Sequence, residues 1–301
     1  MANFFMKRHE LWRDRYRTAR DLDHLTPEEL SERMHDCINN VRTRTECGKL
    51  GLLSAREPIG EKWIILCTQV LEECHLRGYA YPGPISIAPY RSSLDHAFVP
   101  IPDMAPALRE HEATGKPYLL KFGDPKWLRP SLESGKFRIA PASFYDSGAH
   151  NHARRDRELQ RVTRLNPHDP LYVRGAVSVS YATDYFLFSL AASYSSRLFG
   201  DFASTSCLVI HDPKEFQQRM LNAVAAQLSD WRVEAARMIY YDPVRVNPAA
   251  IDVPTYKPFR HAYQDEVRIV CIPPHRVDRL SPFEIEIGPL GDCATLVELS
   301  V

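Results

Sequence analysis

The stretch "AYQDEVRIV", residues 262–270, contains the sequence pattern that is most informative about the fold. Glu266 precedes an apolar, β-branched run that reaches Ile272, and such a run predicts a buried strand. Gln264 and Glu266 stand two positions apart, and residues i and i+2 of a strand point to one face. The pattern therefore predicts an amide and a carboxylate side by side at one end of this strand. The alternative is a half-exposed strand face on which Glu266 pairs with Arg268 or Arg260.

The composition is that of an ordinary soluble globular protein. The 301 residues include 38 basic and 38 acidic side chains, and 44% of them are hydrophobic. One large domain, with or without a smaller helical part, is the natural expectation. A net charge of zero gives no overall drive toward nucleic acid or a membrane. No apolar run approaches the ~20 residues of a membrane helix, and the N-terminus lacks the pattern of a secretory signal.

The seven cysteines are scattered and form no Cys-x-x-Cys pair. This argues against structural zinc and predicts reduced, buried thiols in a cytoplasmic protein.

Three regions follow from the patterning. Residues 1–80 are expected to be helical: Thr26, Pro27 and Glu29 supply a capping box and a first-turn proline, and a second helix is expected over 61–76. Residues 81–117 form a proline-rich connector, with six prolines between Pro82 and Pro106. Residues 118–301 alternate strand and helix patterns without regular βαβ units. This predicts an α+β domain with a largely antiparallel sheet.

Further elements are predicted in the third region. They are strands over 118–122, 137–140, 176–181, 207–210, 238–241 and 283–287, a helix over 127–135 that stops at a glycine, a helix over 185–197, a helix capped by Asp212, and an exposed polar segment over 147–170.

Three motifs follow one another in this region. Lys121, Phe122 and Gly123 end its first strand, "DFASTS" (201–206) precedes the apolar strand at 207, and the Gln-x-Glu triplet comes late. This order resembles ADP-ribosyltransferases over roughly residues 118–290. The resemblance implies a twisted, mainly antiparallel two-sheet core around a cleft, with an N-terminal helical extension. It further implies a transferase that uses NAD and modifies a macromolecular acceptor.

The resemblance also implies roles for individual residues. Cleavage of the nicotinamide–ribose bond passes through an oxocarbenium-like ribose, and Glu266 would stabilise the developing cation near the 2′-hydroxyl. Gln264 would orient the acceptor. Lys121, flanked by Phe122 and Gly123, would lie against the pyrophosphate or the adenylate ribose. Family members with Ser-Thr-Ser carry arginine where this chain has Lys121, and the spacing to Ser-Thr-Ser requires an insertion.

The mid-domain motif has two competing assignments. One is Ser204-Thr205-Ser206. The other consists of Tyr185 and Tyr194, with Ser180 at the end of the preceding strand. The tyrosines are favoured, because aromatic rings suit nicotinamide, a flat cation.

Other hypotheses stay open. Glu284-Ile285-Glu286 is a second acidic triplet on a predicted strand near the end of the chain. Gln264 is neutral, which predicts an acceptor other than arginine, either another protein side chain or a nucleobase. A non-catalytic interaction module on the same fold is the main alternative, and the basic segment 154–157 allows a nucleic-acid-binding module. The letters "HNH" at 150–152 lack the context of a nuclease site.

Overall fold

The computed structural model describes residues 2–44, 50–56, 58–79, 101–146, 157–164 and 176–299. The α-helices in these ranges are α1 (Ala2–Ala19), α2 (Pro27–Val41), α3 (Pro58–Leu76), α4 (Ala105–Thr114), α5 (Pro125–Ser134), α6 (Ala142–Tyr145), α7 (Arg197–Asp201) and α8 (Pro213–Gln227). The strands are β1 (Arg42–Arg44), β2 (Leu50–Leu52), β3 (Leu119–Gly123), β4 (Lys136–Pro141), β5 (Gln160–Arg164), β6 (Ala176–Ser180), β7 (Phe186–Ala191), β8 (Ser206–Ile210), β9 (Arg232–Arg237), β10 (Ile239–Tyr241), β11 (Tyr256–Pro258), β12 (Glu266–Ile272), β13 (Phe283–Glu286) and β14 (Ala294–Glu298). Short 3-10 helices span Pro248–Ala250 and Phe259–Gln264.

The N-terminal helices pack against the later part of the chain. The predicted capping box is confirmed, since Thr26 accepts from the Glu29 amide and the Glu29 side chain accepts from the Thr26 amide. From α2, Arg33 donates to both carboxylate oxygens of Asp242 at 2.6 and 2.7 Å. From α3, Trp63 stacks on Phe259, with ring centroids 5.5 Å apart. These contacts bring the helices against the part of the chain between β10 and β12.

The connector expected over 81–117 contains a helix. Residues 81–100 lie outside the described ranges, but α4 occupies Ala105–Thr114. Pro106 lies in the first turn of α4, where a proline removes no helical hydrogen bond. Within the region assigned to the connector, residues 105–114 are therefore helical.

The main sheet is antiparallel throughout. Its strands run in the order β13-β4-β7-β3-β8-β14, while β12 pairs with β7 and β9 pairs with the far side of β12. The central strand β7 contacts β12 along its whole length, whereas its other edge contacts β4 at one end and β3 at the other. The sheet is thus split in two along one edge of β7. The prediction of an α+β protein with a largely antiparallel sheet is confirmed.

Two local predictions need correction. Residues 185–197 were expected to form a helix, but Phe186–Ala191 is β7 and only Arg197–Asp201 is helical. A continuous apolar run fits a buried strand as well as a helix, and the pairing of β7 with β12 decides between them. The exposed polar segment expected over 147–170 contains β5, while residues 147–156 and 165–170 lie outside the described ranges.

Each face of the sheet carries its own apolar layer. On the side that we call the α8 face, Phe188, Leu208 and Ile269 pack with Phe216 and Met220 of α8. On the opposite side, the α4 face, Leu120 and Val209 pack with Leu108 of α4 and with Met104, the residue before it. Because side chains alternate along a strand, the strand register assigns every residue of the sheet to one of these faces.

Candidate active site

Gln264 and Glu266 lie together but not on one strand. Gln264 ends the 3-10 helix Phe259–Gln264, Asp265 has a left-handed backbone (φ 41°), and Glu266 is the first residue of β12. The prediction that Gln264 lies on the strand is therefore wrong, because the chain turns sharply at Asp265. The two side chains still meet at Lys257 of β11, whose Nζ donates to Gln264 Oε1 at 3.2 Å and to Glu266 Oε2 at 2.7 Å.

Glu266 belongs to a larger buried group of charges, which we call the Glu266 cluster. Its members are Glu158, Arg161, Lys257, Glu266 and Arg268. Arg268 Nε donates to Glu266 Oε1 at 2.6 Å, and both terminal nitrogens of Arg268 donate to Glu158, at 2.6 and 2.7 Å. Arg161 Nη2 donates to Glu158 Oε2 at 2.8 Å. Three cations and two carboxylates leave the cluster with a net charge of +1.

Burial strengthens the ion pairs of the Glu266 cluster. Gln264 and Glu266 are only 4% and 5% exposed. Burial by itself would raise the pKa of Glu266, but Arg268 and then Lys257 lower that pKa to about 2. Burial would likewise raise the pKa of Glu158, yet Arg268 and Arg161 hold it well below its usual value. Both carboxylates are therefore ionised at neutral pH. The alternative in which Glu266 pairs with Arg268 is confirmed, but the strand end is buried and not half-exposed.

A tyrosine connects Glu266 to a cavity. The Glu266 amide donates to the Tyr240 hydroxyl at 2.8 Å. Tyr240 also lines a cavity of about 500 Å³ between α3 and β10, together with Trp63 and Phe259. Burial, followed by the nearby Glu266 charge, raises the pKa of Tyr240, so its phenol stays neutral. Tyr240 thus lines the cavity and also contacts the backbone of Glu266.

Lys121 lies on the other side of the sheet from Glu266. Glu266 pairs with Ala191, which in turn pairs with Leu120, so Glu266 belongs to the α4 face. Lys121, the next residue, points to the α8 face. There its Nζ donates to Ser189 O at 2.9 Å and lies 4.1 Å from the centroid of the Phe188 ring. The structure does not bring Lys121 and Glu266 together.

The neighbours of Lys121 have structural contacts. Phe122 packs edge-on against Phe199, with centroids 5.0 Å apart. The Gly123 carbonyl accepts a hydrogen bond from Ser206 Oγ at 2.7 Å. Ser204 and Ser206 are both fully buried, so the Ser-Thr-Ser segment joins β8 to the end of β3.

The tyrosines of the other mid-domain assignment are not brought together into an aromatic surface for nicotinamide either. Tyr185 is fully buried, and its hydroxyl donates to the Glu158 carbonyl at 3.1 Å, beside the Glu266 cluster. The Tyr194 amide donates to the Tyr118 hydroxyl at 3.1 Å, on the α4 face. Ser180 is exposed at the end of β6, which pairs only with β5 in the described ranges.

The second acidic triplet is exposed. Glu284 and Glu286 lie on β13, at the edge of the sheet, and both are exposed. Glu284 pairs with Lys136 at 3.1 Å. Because they are exposed, the carboxylates of Glu284 and Glu286 lie in a high-dielectric environment, whereas Glu266 is buried.

Sequence reasoning missed three members of the cluster. Glu158 ends a run of charges that is typical of a solvated surface, and Arg161 follows it at the start of β5. Lys257 lies among tyrosine and proline residues without any motif. The one signal that was available is the i, i+2 spacing of Glu266 and Arg268 on a strand whose other residues are apolar.

Fold and site together define an α+β protein with a split antiparallel sheet and a buried charge cluster at the start of strand β12. No family model, no curated protein and no solved structure matches this chain. Among the described residues, no three His, Cys, Asp or Glu side chains are grouped so that they could hold a metal ion. None of the helices in those ranges has the length and apolar character needed to cross a membrane.

Proposed function

We propose that this chain is an NAD-dependent ADP-ribosyltransferase in which Glu266 is the catalytic carboxylate. The observation that carries the proposal is an ionised, desolvated Glu266 beside Gln264 at the first residue of β12, in a split antiparallel sheet. An anion in a site of low dielectric constant stabilises a developing positive charge far more than it would in water.

The reaction requires one Glu266 oxygen to reach the ribose. In the transfer, the bond from ribose C1′ to nicotinamide breaks, nicotinamide leaves with the electron pair, and the acceptor's lone pair forms the new bond to C1′ as the acceptor loses a proton. Lys257 is the partner that can release this oxygen. Its Nζ is 2.7 Å from Glu266 Oε2 and 3.9 Å from Glu158 Oε1, so a small movement of this flexible amine toward Glu158 leaves Oε2 with the longer hydrogen bond from Arg268 Nη2, at 3.4 Å. Arg268 then keeps the carboxylate in place through Oε1.

The test measures nicotinamide release from NAD, with cell extract as the source of acceptor. Glu266→Gln should lower the rate at least ~100-fold, because the charge acts chiefly in the transition state. The matched control is Glu284→Gln, which removes an exposed carboxylate from β13 and should keep full activity. An active Glu266→Gln variant would overturn the proposal, as would wild-type protein that neither binds NAD at millimolar concentration nor releases nicotinamide.

The acceptor proposal rests on Gln264. Its amide is neutral and is fixed by Lys257 on one side and by the Tyr263 hydroxyl, 3.4 Å away, on the other. A neutral group next to a cation offers no ionic pairing to a guanidinium, so we propose an amide, hydroxyl, thiol or nucleobase acceptor. Extract incubated with labelled NAD is digested with protease or with nuclease. Label on protein arginines would contradict this choice.

A non-catalytic interaction module is the second candidate. It is favoured by the net charge of +1 on the Glu266 cluster, which opposes an oxocarbenium cation, and by the position of Lys121 on the opposite face of the sheet. On this reading the cluster only joins β5, β11 and β12. Calorimetric titration with NAD separates the two candidates, because the module should give no heat of binding.

The basic segment 154–157, of which only Arg157 is described, favours a form of this module that binds nucleic acid. A filter-binding assay with single-stranded DNA and RNA tests this form.

A further inference from the structure

A second group of polar side chains lies in a cavity on the α4 face, away from Glu266. The cavity measures about 690 Å³, and its lining includes His111 of α4, His211 after β8 and Thr295 of β14. Thr295 pairs with Val209, and His211 lies two residues beyond Val209, so the alternation along the strands places both on the α4 face. The helix α4 packs on that same face and supplies His111.

These three side chains form one hydrogen-bonded chain. His111 Nδ1 lies 3.1 Å from the Lys116 carbonyl, His111 Nε2 lies 2.8 Å from His211 Nδ1, and His211 Nε2 lies 2.9 Å from Thr295 Oγ1. A carbonyl oxygen only accepts, so His111 Nδ1 carries the hydrogen. In neutral histidines, His111 Nε2 then accepts from His211 Nδ1, and His211 Nε2 accepts from the Thr295 hydroxyl.

The direction of this chain has a chemical consequence. His211 presents a lone pair to the Thr295 hydroxyl, while its other nitrogen is held by a buried histidine that a backbone carbonyl orients. A hydroxyl, a base in contact with it and a group that fixes the base are the parts of an activated nucleophile. Thr295 is exposed to the cavity, as a nucleophile must be.

The strand also supplies a donor beside the hydroxyl. The His211 amide donates to the Cys293 carbonyl at 2.7 Å, and the Leu299 amide donates to the Thr205 carbonyl at 3.4 Å. Hydrogen-bonded and non-hydrogen-bonded residue pairs alternate between antiparallel strands, so these two bonds show which residues of β14 are hydrogen-bonded to β8. That alternation turns the Leu296 amide away from β8. In the described part of the chain, β14 ends the strand order, so this amide points out from the sheet edge, and Leu296 is one of the residues that line the cavity.

We propose that Thr295, His211 and His111 form a second reactive site that takes carboxylic or phosphonic esters as substrates. Thr295 Oγ attacks the carbonyl carbon or the phosphorus, and its proton passes to His211 Nε2. The Leu296 amide donates to the developing oxyanion. The ester's leaving group departs with its bonding electron pair and takes the proton from His211, which leaves Thr295 acylated or phosphonylated. His111 is the positioning residue, because its Nε2 accepts from the Nδ1–H of the protonated His211.

Three acidic side chains surround His211, and two of them are paired with cations. Glu110 pairs with Lys116 at 2.7 Å, and Glu298 pairs with Arg129 at 2.9 Å. Asp103 also lines the cavity. Burial, followed by the neighbouring His111, lowers the pKa of His211, so this base is neutral at pH 7.

The experiment uses a fluorophosphonate probe with the full chain at pH 7.5 and locates the label by mass spectrometry. Attack by Thr295 expels fluoride and adds one phosphonyl group. We expect one label per chain at Thr295, none in Thr295→Val, and retained labelling in Thr295→Ser. His211→Gln should slow labelling at least ~100-fold, which is the usual contribution of a positioned general base. Thr114→Val, which removes another exposed hydroxyl near α4, should label like the wild type.

The role of His111 has its own measurement. The labelling rate should fall as pH drops through the lowered pKa of His211, and His111→Ala should shift this pH profile and slow labelling about 10-fold, whereas a merely structural residue would leave the profile in place. Label at any other residue, or equal rates in the wild type and His211→Gln, would overturn the proposal. Because the probe reacts without NAD, neither result depends on Glu266.

Discussion

Replacing Glu266 by glutamine should destabilise the protein by an amount that depends on pH. The substitution keeps the shape of the side chain and an oxygen for Arg268, but it removes one of the two carboxylates that neutralise three buried cations. The net charge of the Glu266 cluster rises from +1 to +2. The loss of stability therefore measures the removal of a charge and not a change in packing.

The magnitude follows from the lowered pKa of Glu266. Its folded value of about 2 lies below the ordinary value of 4.5, and one pKa unit corresponds to about 1.4 kcal/mol. Ionised Glu266 therefore contributes about 3 kcal/mol to the free energy of unfolding at pH 7. Because the folded pKa is the lower one, this contribution is complete above about pH 4.5 and is lost as the pH falls through about 2. A typical domain has 5–15 kcal/mol of stability, so the variant should still fold at neutral pH.

Urea unfolding followed by tryptophan fluorescence at several pH values between 7 and 4 measures this difference. Glu266→Gln should lose about 3 kcal/mol at pH 7, and its deficit relative to the wild type should begin to shrink below about pH 5. The matched control is Glu284→Gln, whose exposed pair with Lys136 should cost at most about 1 kcal/mol. If both variants lose the same small amount, or if Glu266→Gln keeps the acid limb of the wild type, then the cluster does not stabilise the fold as described.

Two further predictions concern packing between elements. Gly135→Ala should cost more than 2 kcal/mol, because Gly135 has φ of 69° and an added Cβ would lie 2.0 Å from the Gly288 carbonyl oxygen. Gly115→Ala, with φ of 68° and no atom within 4 Å of the added Cβ, should cost only about 1 kcal/mol, and equal losses in urea unfolding would refute the clash. Arg33→Met should cost about 3 kcal/mol, because it leaves Asp242 without the buried partner that joins α2 to the residue after β10. A loss below 1 kcal/mol for Arg33→Met would mean that the N-terminal helices are held by apolar contacts alone.

Local elements were accessible to sequence reasoning. The capping box at Thr26, the glycine stop at Gly135, the Asp212 cap of α8 and the strand that begins at Glu266 all appear as predicted. Each of these depends on residues within a few positions of one another. Caps, left-handed glycines and β-branched runs act through the nearby backbone, so the sequence alone was sufficient.

The candidate site required the tertiary structure. Glu158 stands more than one hundred positions before Glu266, in a run of charges typical of a surface, yet it is fully enclosed with Arg268. Residues 186–191 fit a helical pattern but form β7, because pairing with β12 outweighs a local pattern that fits both elements. The separation of Lys121 from Glu266 depends on register, since moving one position along a strand reverses the face. Sequence patterns determined the helix caps, the glycine stop and most of the strands, whereas strand pairing, burial and charge pairing between distant segments determined the identity of β7 and the position of each charged side chain.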